Sequence, residues 1–348
     1  MKNEKIENLL NRMINDNVFP GANYALLTKN NCYIGSVGNK SLVFKMEENS
    51  IDTLYDLASL TKVIVTNTII TKLLAKHKIT LEDKVCDYLP RFKHQEITIF
   101  HLLTHSSGLD ADLSWRTVNS KEQLLNNLYN LELMYKVGEK VVYADVSFIL
   151  LGLIIEKIYQ KPIDQVAKEE VFIPLNMLNS CYNPIDKEKC APTEVTEERG
   201  VVQGIVHDEK CAILGGVTGH AGVFSTIEDV VKFCEMIQNN GYVGSYEFLP
   251  KEYIDLWFKP EKVVDEGQYR SIGWIVGKSE NITGDLGDLD TMYHTGFTGN
   301  HIIINRKLNL YGILLTNRIH PTRENNTLHP RRKDFFKVCY EIVKEESD

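Results

Sequence analysis

Two short apolar hairpins lie near opposite ends of this chain, and they constrain its fold more than any other feature. Strand patterns at 23–28 and 32–37 flank one polar turn, and those at 301–304 and 308–316 flank another. Helical patterns occupy much of the sequence between the hairpins. The arrangement predicts an α+β fold, in which an antiparallel sheet built from both ends of the chain carries a mostly helical insertion.

The strongest helical pattern covers residues 60–74, where apolar side chains recur at helical spacing. Further helices are predicted at the N-terminus and at 99–104, 121–131, 146–159, 163–171 and 228–237. A stretch rich in proline and charge, 183–198, predicts a long loop or lobe boundary. We expect one catalytic unit over 1–348, with an α/β lobe from 1–58 plus 200–348 and a helical lobe from 59–199.

Composition excludes several kinds of partner. The chain has 39 basic and 47 acidic residues, a net charge of −8, which repels a phosphate backbone and argues against nucleic acid. No apolar run approaches the roughly 20 residues of a membrane span, and the N-terminus shows no signal core, so we expect a cytoplasmic protein without a membrane partner. The seven scattered cysteines form no C-x-x-C pair, which indicates reduced thiols.

The first candidate for chemistry is Ser59 with Lys62. Ser59 is the only serine with a lysine three positions later, and it stands where the long helix begins. Residues three apart share a helix face, so Lys62 can reach the serine hydroxyl. The helix N-terminus favours a developing oxyanion, and a nearby base makes the hydroxyl a nucleophile. The alternative is that Ser59 only caps the helix while Lys62 points to water.

Two more segments could complete a site. Tyr143 precedes a helix together with Asp145, and nearby cations can lower a tyrosine pKa enough for proton transfer; the alternative is a core tyrosine beside a helix cap at Asp145. His294, Thr295 and Gly296 lead toward the late hairpin, where small residues would let a substrate lie against the backbone. A tight turn with a solvated histidine is the alternative there.

A histidine pair and a glycine-rich run suggest other functions. His101 and His105 are four apart, as zinc ligands are, but the segment HLLTH lacks the glutamate of the metalloprotease pattern. We therefore expect no metal. The run at 215–222 lacks the spacing of phosphate-binding loops, and indicates close backbone packing instead.

The order S-x-x-K, Y-x-D and H-T-G, at Ser59, Tyr143 and His294, resembles the serine β-lactamase and penicillin-binding protein family. The likeness is closest to its class C β-lactamase-related group of esterases, D-amino-acid peptidases and muropeptide amidases. Segments 53–59, 97–109, 215–225 and 294–318 are also similar to blocks of that group. The resemblance implies a β-lactamase/transpeptidase-like fold and a serine hydrolase without a cofactor.

The resemblance also implies roles for individual residues. Ser59 would attack a carbonyl to form an acyl-enzyme, and Lys62 and Tyr143 would share general acid and base work in an order left open. The backbone N–H groups of Ser59 and Phe297 would form the oxyanion hole. Substrate contacts would come from Asp145, His294, Thr295 and Gly296.

Two positions depart from the β-lactamase pattern. Asp145 stands where those enzymes usually carry Asn, and His294 where they carry Lys, which weakens recognition of a β-lactam. An ester or amide hydrolase acting on a small or peptide-like substrate fits better. The VHDE block at 206–209 and the GHAG block at 219–222 are similar to blocks of the group's muropeptide amidases. This resemblance favours cell-wall fragments as the substrate. Arg318 and Arg323 could bind a substrate carboxylate in place of the missing lysine. The alternative, which is the commoner case for arginines, is that both are solvated at the surface. A non-catalytic sensor that retains the fold is the alternative function.

Overall fold

The two hairpins meet as neighbours in one sheet. The computed structural model describes residues 2–111, 113–118 and 120–347. Its helices are α1 (Lys2–Asn15), α2 (Thr68–Ala75), α3 (Val85–Tyr88), α4 (Ile99–Leu103), α5 (Lys121–Tyr129), α6 (Asp145–Tyr159), α7 (Ile163–Ala167), α8 (Glu209–Ile213), α9 (Ile227–Gln238), α10 (Lys251–Phe258) and α11 (Arg332–Ser347). Single-turn π-helices cover Lys62–Asn67 and Lys168–Phe172, and 3₁₀ turns cover Lys187–Lys189 and His329–Arg331.

The strands form one large sheet and three small ones. The strands are β1 (Gly21–Leu27), β2 (Cys32–Ser41), β3 (Glu47–Glu48), β4 (Tyr55–Asp56), β5 (Cys181–Tyr182), β6 (Val195–Thr196), β7 (Gly200–Val201), β8 (Val223–Ser225), β9 (Tyr242–Val243), β10 (Tyr246–Glu247), β11 (Lys262–Asp265), β12 (Gln268–Arg270), β13 (Ile275–Gly277), β14 (Thr291–Thr295), β15 (His301–Asn305) and β16 (Leu310–Thr316). The large sheet has nine strands in the order β11-β12-β13-β14-β15-β16-β1-β2-β3.

Antiparallel pairing of β1 with β16 joins the two ends of the chain, with Ala22 opposite Thr316. Helices α1 and α11 pack against the sheet around a core that includes Leu10, Ile303 and Phe336. Helix α9 packs on β1 and β16, and its buried side chains belong to the larger core shared with α2 and α6. The predicted α+β class and both hairpins are confirmed; the proposed lobe boundaries stay a prediction.

The predicted helix at 60–74 is present, but a π-helical turn replaces its first part. Thr66 Oγ1 donates to the carbonyl of Gly219 at 2.6 Å, and Thr68 Oγ1 donates to the carbonyl of Val63 at 3.0 Å. The Thr68 bond occupies a carbonyl that an α-helix would use, whereas the Thr66 bond ties the turn to the distant loop at Gly219. Such single turns are frequent at functional sites. Hydrophobic spacing alone cannot distinguish the two helix types, because both bury the same apolar residues.

The remaining predicted helices agree with the structure to within a few residues at their ends, except that the segment at 163–171 divides into α7 and a π-helical turn. None of the described helices is long and apolar enough to cross a membrane.

Candidate active site

Ser59 lies in the turn that follows β4, held by an unusual backbone conformation. The preceding residue, Ala58, has a φ of +47°, which is rare for a side chain other than glycine. The Ala58 N–H donates to the buried carboxylate of Asp56 at 2.9 Å, and the same carboxylate accepts the N–H of His207 at 2.7 Å. Strained backbone held by its surroundings clusters at active sites, and here it fixes the position of the Ser59 hydroxyl.

The Ser59 hydroxyl contacts both predicted partners. Lys62 Nζ donates to Ser59 Oγ at 2.8 Å, and the Tyr143 hydroxyl donates to the same oxygen at 2.8 Å. The Lys62 side chain is fully buried, whereas Tyr143 is 42% exposed. The alternatives of a solvated lysine and a core tyrosine are therefore wrong.

Lys62 keeps its positive charge in this environment. Burial by itself would lower its pKa, but the carboxylate of Asp145, 2.8 Å from Nζ, and the phenol of Tyr143 raise the pKa above the usual lysine value. The carbonyl of His220 also accepts from Nζ at 3.2 Å. Its three acceptors, which are Ser59 Oγ, Asp145 Oδ1 and the His220 carbonyl, fix the direction of the ammonium group.

Tyr143 is positioned by His105 and faces two cations. The carbonyl of His105 accepts the Val142 N–H at 2.9 Å, and its Nδ1 accepts the Ala144 N–H at 3.2 Å, so His105 binds the backbone on both sides of Tyr143. The two rings are 4.7 Å apart. The Tyr143 ring also lies 5.0 Å from Lys62 Nζ and 5.4 Å from the guanidinium of Arg270.

The alternative of a helix cap at Asp145 is wrong. Ala144 is the N-cap of α6, and Asp145 is the first helical residue. Its Oδ1 binds Lys62, and its Oδ2 lies 3.1 Å from the Nζ of Lys210. Although burial opposes ionisation, the cations around it, Lys62 first, hold the pKa of the Asp145 carboxyl well below its usual range. Its predicted contact with substrate stays a prediction.

Strand β14 brings the H-T-G segment beside the residues that lead to Ser59. A Cβ on Gly296 would lie 2.6 Å from the carbonyl oxygen of Leu57, so this position requires glycine. Among the described residues, neither the Ser59 N–H nor the Phe297 N–H has a hydrogen-bond acceptor. Both groups are thus available for the predicted oxyanion hole, which stays a prediction.

The side chain of His294 is buried, so the solvated alternative is wrong. Burial, with Arg270 and Lys62 nearby, holds its pKa well below the usual histidine value, and the ring is neutral. The ring lies 6.3 Å from Tyr143 and does not line the cleft beside Ser59. Neither Thr295 nor Gly296 lines that cleft, so the predicted substrate contacts of this segment stay predictions.

A cleft of about 290 Å³ opens beside Ser59. Its walls contain the predicted residues Ser59, Tyr143, Asp145 and Phe297, together with Ala58, Trp115, Arg116, His207, Asp208, Glu209, Lys210, His220, Ala221 and Arg323. The VHDE and GHAG blocks contain several of these added residues, whereas Trp115 and Arg116 carry no sequence signal. The cleft therefore combines aromatic rings with charges of both signs.

The two late arginines are both held by contacts with other residues, but only Arg318 is buried. Arg318 is 1% exposed, and its guanidinium lies 4.9 Å from the ring of Phe297, so the solvated interpretation is wrong for it. Arg323 lies at the cleft and donates to Glu194 and to Glu209. Burial by itself would raise the pKa of Glu194, but hydrogen bonds from Arg323 and His207 lower this pKa to about 2.

The described residues give little support to metal binding. His101 Nδ1 accepts the N–H of Thr98, and His105 Nδ1 accepts the N–H of Ala144. Each ring therefore uses one nitrogen to bind the backbone of a different segment, and the two histidines do not act as a pair. Potential ligand atoms of Asp145, Asp208 and His220 do lie within 4.8 Å of one another. However, the ammonium of Lys210 lies 3.1 Å and 3.2 Å from the two carboxylates, in the place a cation would take.

Comparisons with known proteins agree with this geometry. The chain is 31% identical to the N-acetylmuramyl-L-alanine amidase of Bacillus subtilis (strain 168), over 77% of this chain and 68% of that protein. It is 30% identical to a protein of Escherichia coli (strain K12) named "Putative D-alanyl-D-alanine carboxypeptidase", over 77% of this chain and 70% of that one.

The fold is likewise similar to that of solved hydrolases. EstCE1, a hydrolase with promiscuous acyltransferase activity, superposes with a TM-score of 0.79 at 18% identity, over 97% of this chain and 98% of that chain. The Beta-lactamase family matches residues 7–335. The chain belongs to the Beta-lactamase family and is a serine hydrolase related to an amidase and a putative carboxypeptidase of that family.

Proposed function

We propose that Ser59 is the nucleophile of this hydrolase and that the enzyme cleaves an amide bond in peptide fragments of the cell wall. The observation that carries the proposal is the convergence of Lys62 Nζ and the Tyr143 hydroxyl on Ser59 Oγ, at 2.8 Å each. A serine hydroxyl needs such neighbours to lose its proton and to become a nucleophile.

The charges around Ser59 favour Tyr143 as the first base. Lys62 is paired with Asp145 and carries its proton, so it donates a hydrogen bond and cannot accept a second proton. Lys62 and Arg270 both face the Tyr143 ring, and we propose that Tyr143 enters this step as the phenolate, with these two cations as its counter-charges. The Ser59 proton then moves to the Tyr143 oxygen as Oγ attacks the carbonyl carbon, and Tyr143 returns it to the leaving amine.

The substrate carbonyl oxygen would accept from the backbone N–H groups of Ser59 and Phe297. Such donors are most effective where charge develops in the transition state. Water then attacks the acyl-enzyme along the reverse proton path, releasing the acid and restoring Ser59.

The substrate class rests on the relatives and on the cleft. The two relatives reported above are named an N-acetylmuramyl-L-alanine amidase and a putative D-alanyl-D-alanine carboxypeptidase, and both names refer to amide bonds next to alanine. Within the described part of the chain, Arg116 at the cleft forms no salt bridge with a carboxylate, while its guanidinium lies 4.7 Å from the ring of Trp115. An exposed arginine of this kind suits a substrate carboxylate.

The test is intact-protein mass after treatment with a fluorophosphonate probe, beside Ser59→Ala. We expect one adduct on the wild type and none on the variant, with unchanged thermal unfolding. Turnover of N-acetylmuramyl-L-alanine peptides and of peptides ending in D-alanyl-D-alanine is then compared with that of simple esters. An adduct that persists in Ser59→Ala, or a folded wild type without any adduct, would contradict the assignment; the second of these results favours the non-catalytic sensor.

We also propose a cytoplasmic location for the protein, which cell fractionation tests.

A further inference from the structure

Five charged and polar groups form a closed ring beside Ser59, and it passes through Lys210. Lys62 Nζ binds Asp145 Oδ1 at 2.8 Å, and Asp145 Oδ2 lies 3.1 Å from Lys210 Nζ. Lys210 Nζ lies 3.2 Å from Asp208 Oδ2, and Asp208 Oδ1 lies 2.9 Å from His220 Nε2. The backbone carbonyl of His220 accepts from Lys62 and closes the ring.

The ring is anchored from two sides. Asp208 is the N-cap of α8 and accepts the Cys211 N–H at 2.7 Å. The other nitrogen of His220, Nδ1, contacts the hydroxyl of Thr218 at 2.7 Å. The ring members are therefore fixed by a helix end and by the glycine-rich loop, and the charges of Lys62, Asp145, Lys210 and Asp208 alternate in sign along it.

We propose that Lys210 is a positioning residue whose ammonium neutralises the second oxygen of Asp145, so that Asp145 orients Lys62 without leaving an unbalanced negative charge beside Ser59. The inference rests on the proposed role of Ser59. With Lys210 present, Lys62 and Lys210 share two carboxylates, Asp145 and Asp208. Without Lys210, two partly buried carboxylates face one ammonium, and the surplus negative charge opposes the oxyanion that forms during acylation.

This explanation makes the two positions depend on each other. The substitution Asp145→Asn keeps an oxygen that can accept a hydrogen bond from Lys62, but it removes the negative charge that Lys210 neutralises. Removal of Lys210 should therefore be damaging only when position 145 is a carboxylate. A residue that merely supports the fold would do the same harm in both backgrounds, since its packing does not depend on the charge at 145.

The experiment is a double-mutant cycle on the rate of fluorophosphonate labelling, with thermal unfolding measured for every variant. We expect Lys210→Met to slow labelling at least tenfold and Lys210→Arg, which keeps the charge, to stay within threefold of the wild type. In the Asp145→Asn background, Lys210→Met should change the rate by less than about threefold. Lys232→Met is the matched control, because Lys232 pairs with Asp229 on α9, outside the cleft, and it should label at the wild-type rate.

Three results would overturn the inference. They are a rate for Lys210→Met within threefold of the wild type, an equal loss in both backgrounds, and an Asp145→Asn variant that folds but does not label. A wild type that does not label at all would instead refute the proposed role of Ser59, so the two failures are distinguishable.

Discussion

Lys62 and Tyr143 touch the same oxygen of Ser59 but differ in environment. Lys62 is buried and paired with a carboxylate, so its proton is held in place. Tyr143 is partly exposed, and its ring faces two cations, Lys62 and Arg270. The division of work between them follows from these surroundings and not from residue type alone.

Removal of the Tyr143 hydroxyl should therefore slow acylation without unfolding the protein. We expect Tyr143→Phe to reduce the rate of fluorophosphonate labelling by about 10²–10⁴-fold, the usual contribution of general acid–base catalysis. The phenyl ring keeps its contact with His105, so thermal unfolding should stay close to that of the wild type. Tyr246→Phe, at an exposed tyrosine outside the cleft, is the control. A loss below tenfold would remove Tyr143 from the mechanism.

Three elements converge at the nucleophile, and each is fixed by a contact that a local pattern does not encode. The π-helical turn begins at Lys62, α6 begins at Asp145, and β14 ends at Thr295. The end of β14 approaches the chain before Ser59 so closely that only glycine fits at 296. The distance between these two segments sets the separation of the Ser59 and Phe297 N–H groups.

A methyl group at position 296 should widen that separation. The Cβ of Gly296→Ala would lie 2.6 Å from the Leu57 carbonyl oxygen, which is backbone and cannot rotate away. A displacement of about 1 Å at reacting groups can lower rates by about 10²-fold, and we expect a loss of that order in labelling. Gly200→Ala is the control for loss of a glycine as such: its φ of +62° favours glycine, but a Cβ there meets nothing within 4 Å, so it adds backbone strain outside the cleft without a clash. Labelling of Gly296→Ala at the wild-type rate would show that these N–H groups are not positioned by this contact.

At the scale of the molecule, sequence patterns predict the elements well and their long-range contacts poorly. The hairpins and helices follow from local periodicity, and the S-x-x-K spacing puts Lys62 beside Ser59. The contacts of Lys62 with Asp145 and His220 span 83 and 158 residues, and those of Tyr143 with Arg270 have no local signature. Burial of His294 and Arg318 was likewise not predictable, because their neighbours come from distant segments.

Buried histidines in several parts of the fold make the whole molecule sensitive to mild acid. Burial first, and Arg332 second, lower the pKa of His301 to about 3 from an ordinary value of 6.5. Below 6.5 the unfolded chain binds a proton that folded His301 does not, so the free energy of unfolding falls as the pH falls toward the folded pKa. His105 and His294, whose pKa values are also well below the usual value, act in the same direction.

The contribution of His301 can be isolated between pH 6.5 and 4.5. In the lower part of this window the unfolded chain also begins to protonate Glu194, whose ordinary pKa is 4.5 and whose folded pKa is about 2; this loss of stability is the same in the wild type and in a His301 variant, so it cancels in the comparison. Each buried neutral histidine removes about 0.7 kcal/mol of unfolding free energy per pH unit at pH 6.5 and about 1.4 kcal/mol per pH unit well below it. We expect urea unfolding of His301→Gln to show a pH dependence smaller by about that amount, whereas His77→Asn, at an exposed histidine, should follow the wild type. Equal slopes for His301→Gln and the wild type would mean that the folded protein takes up a proton at His301 as readily as the unfolded chain does.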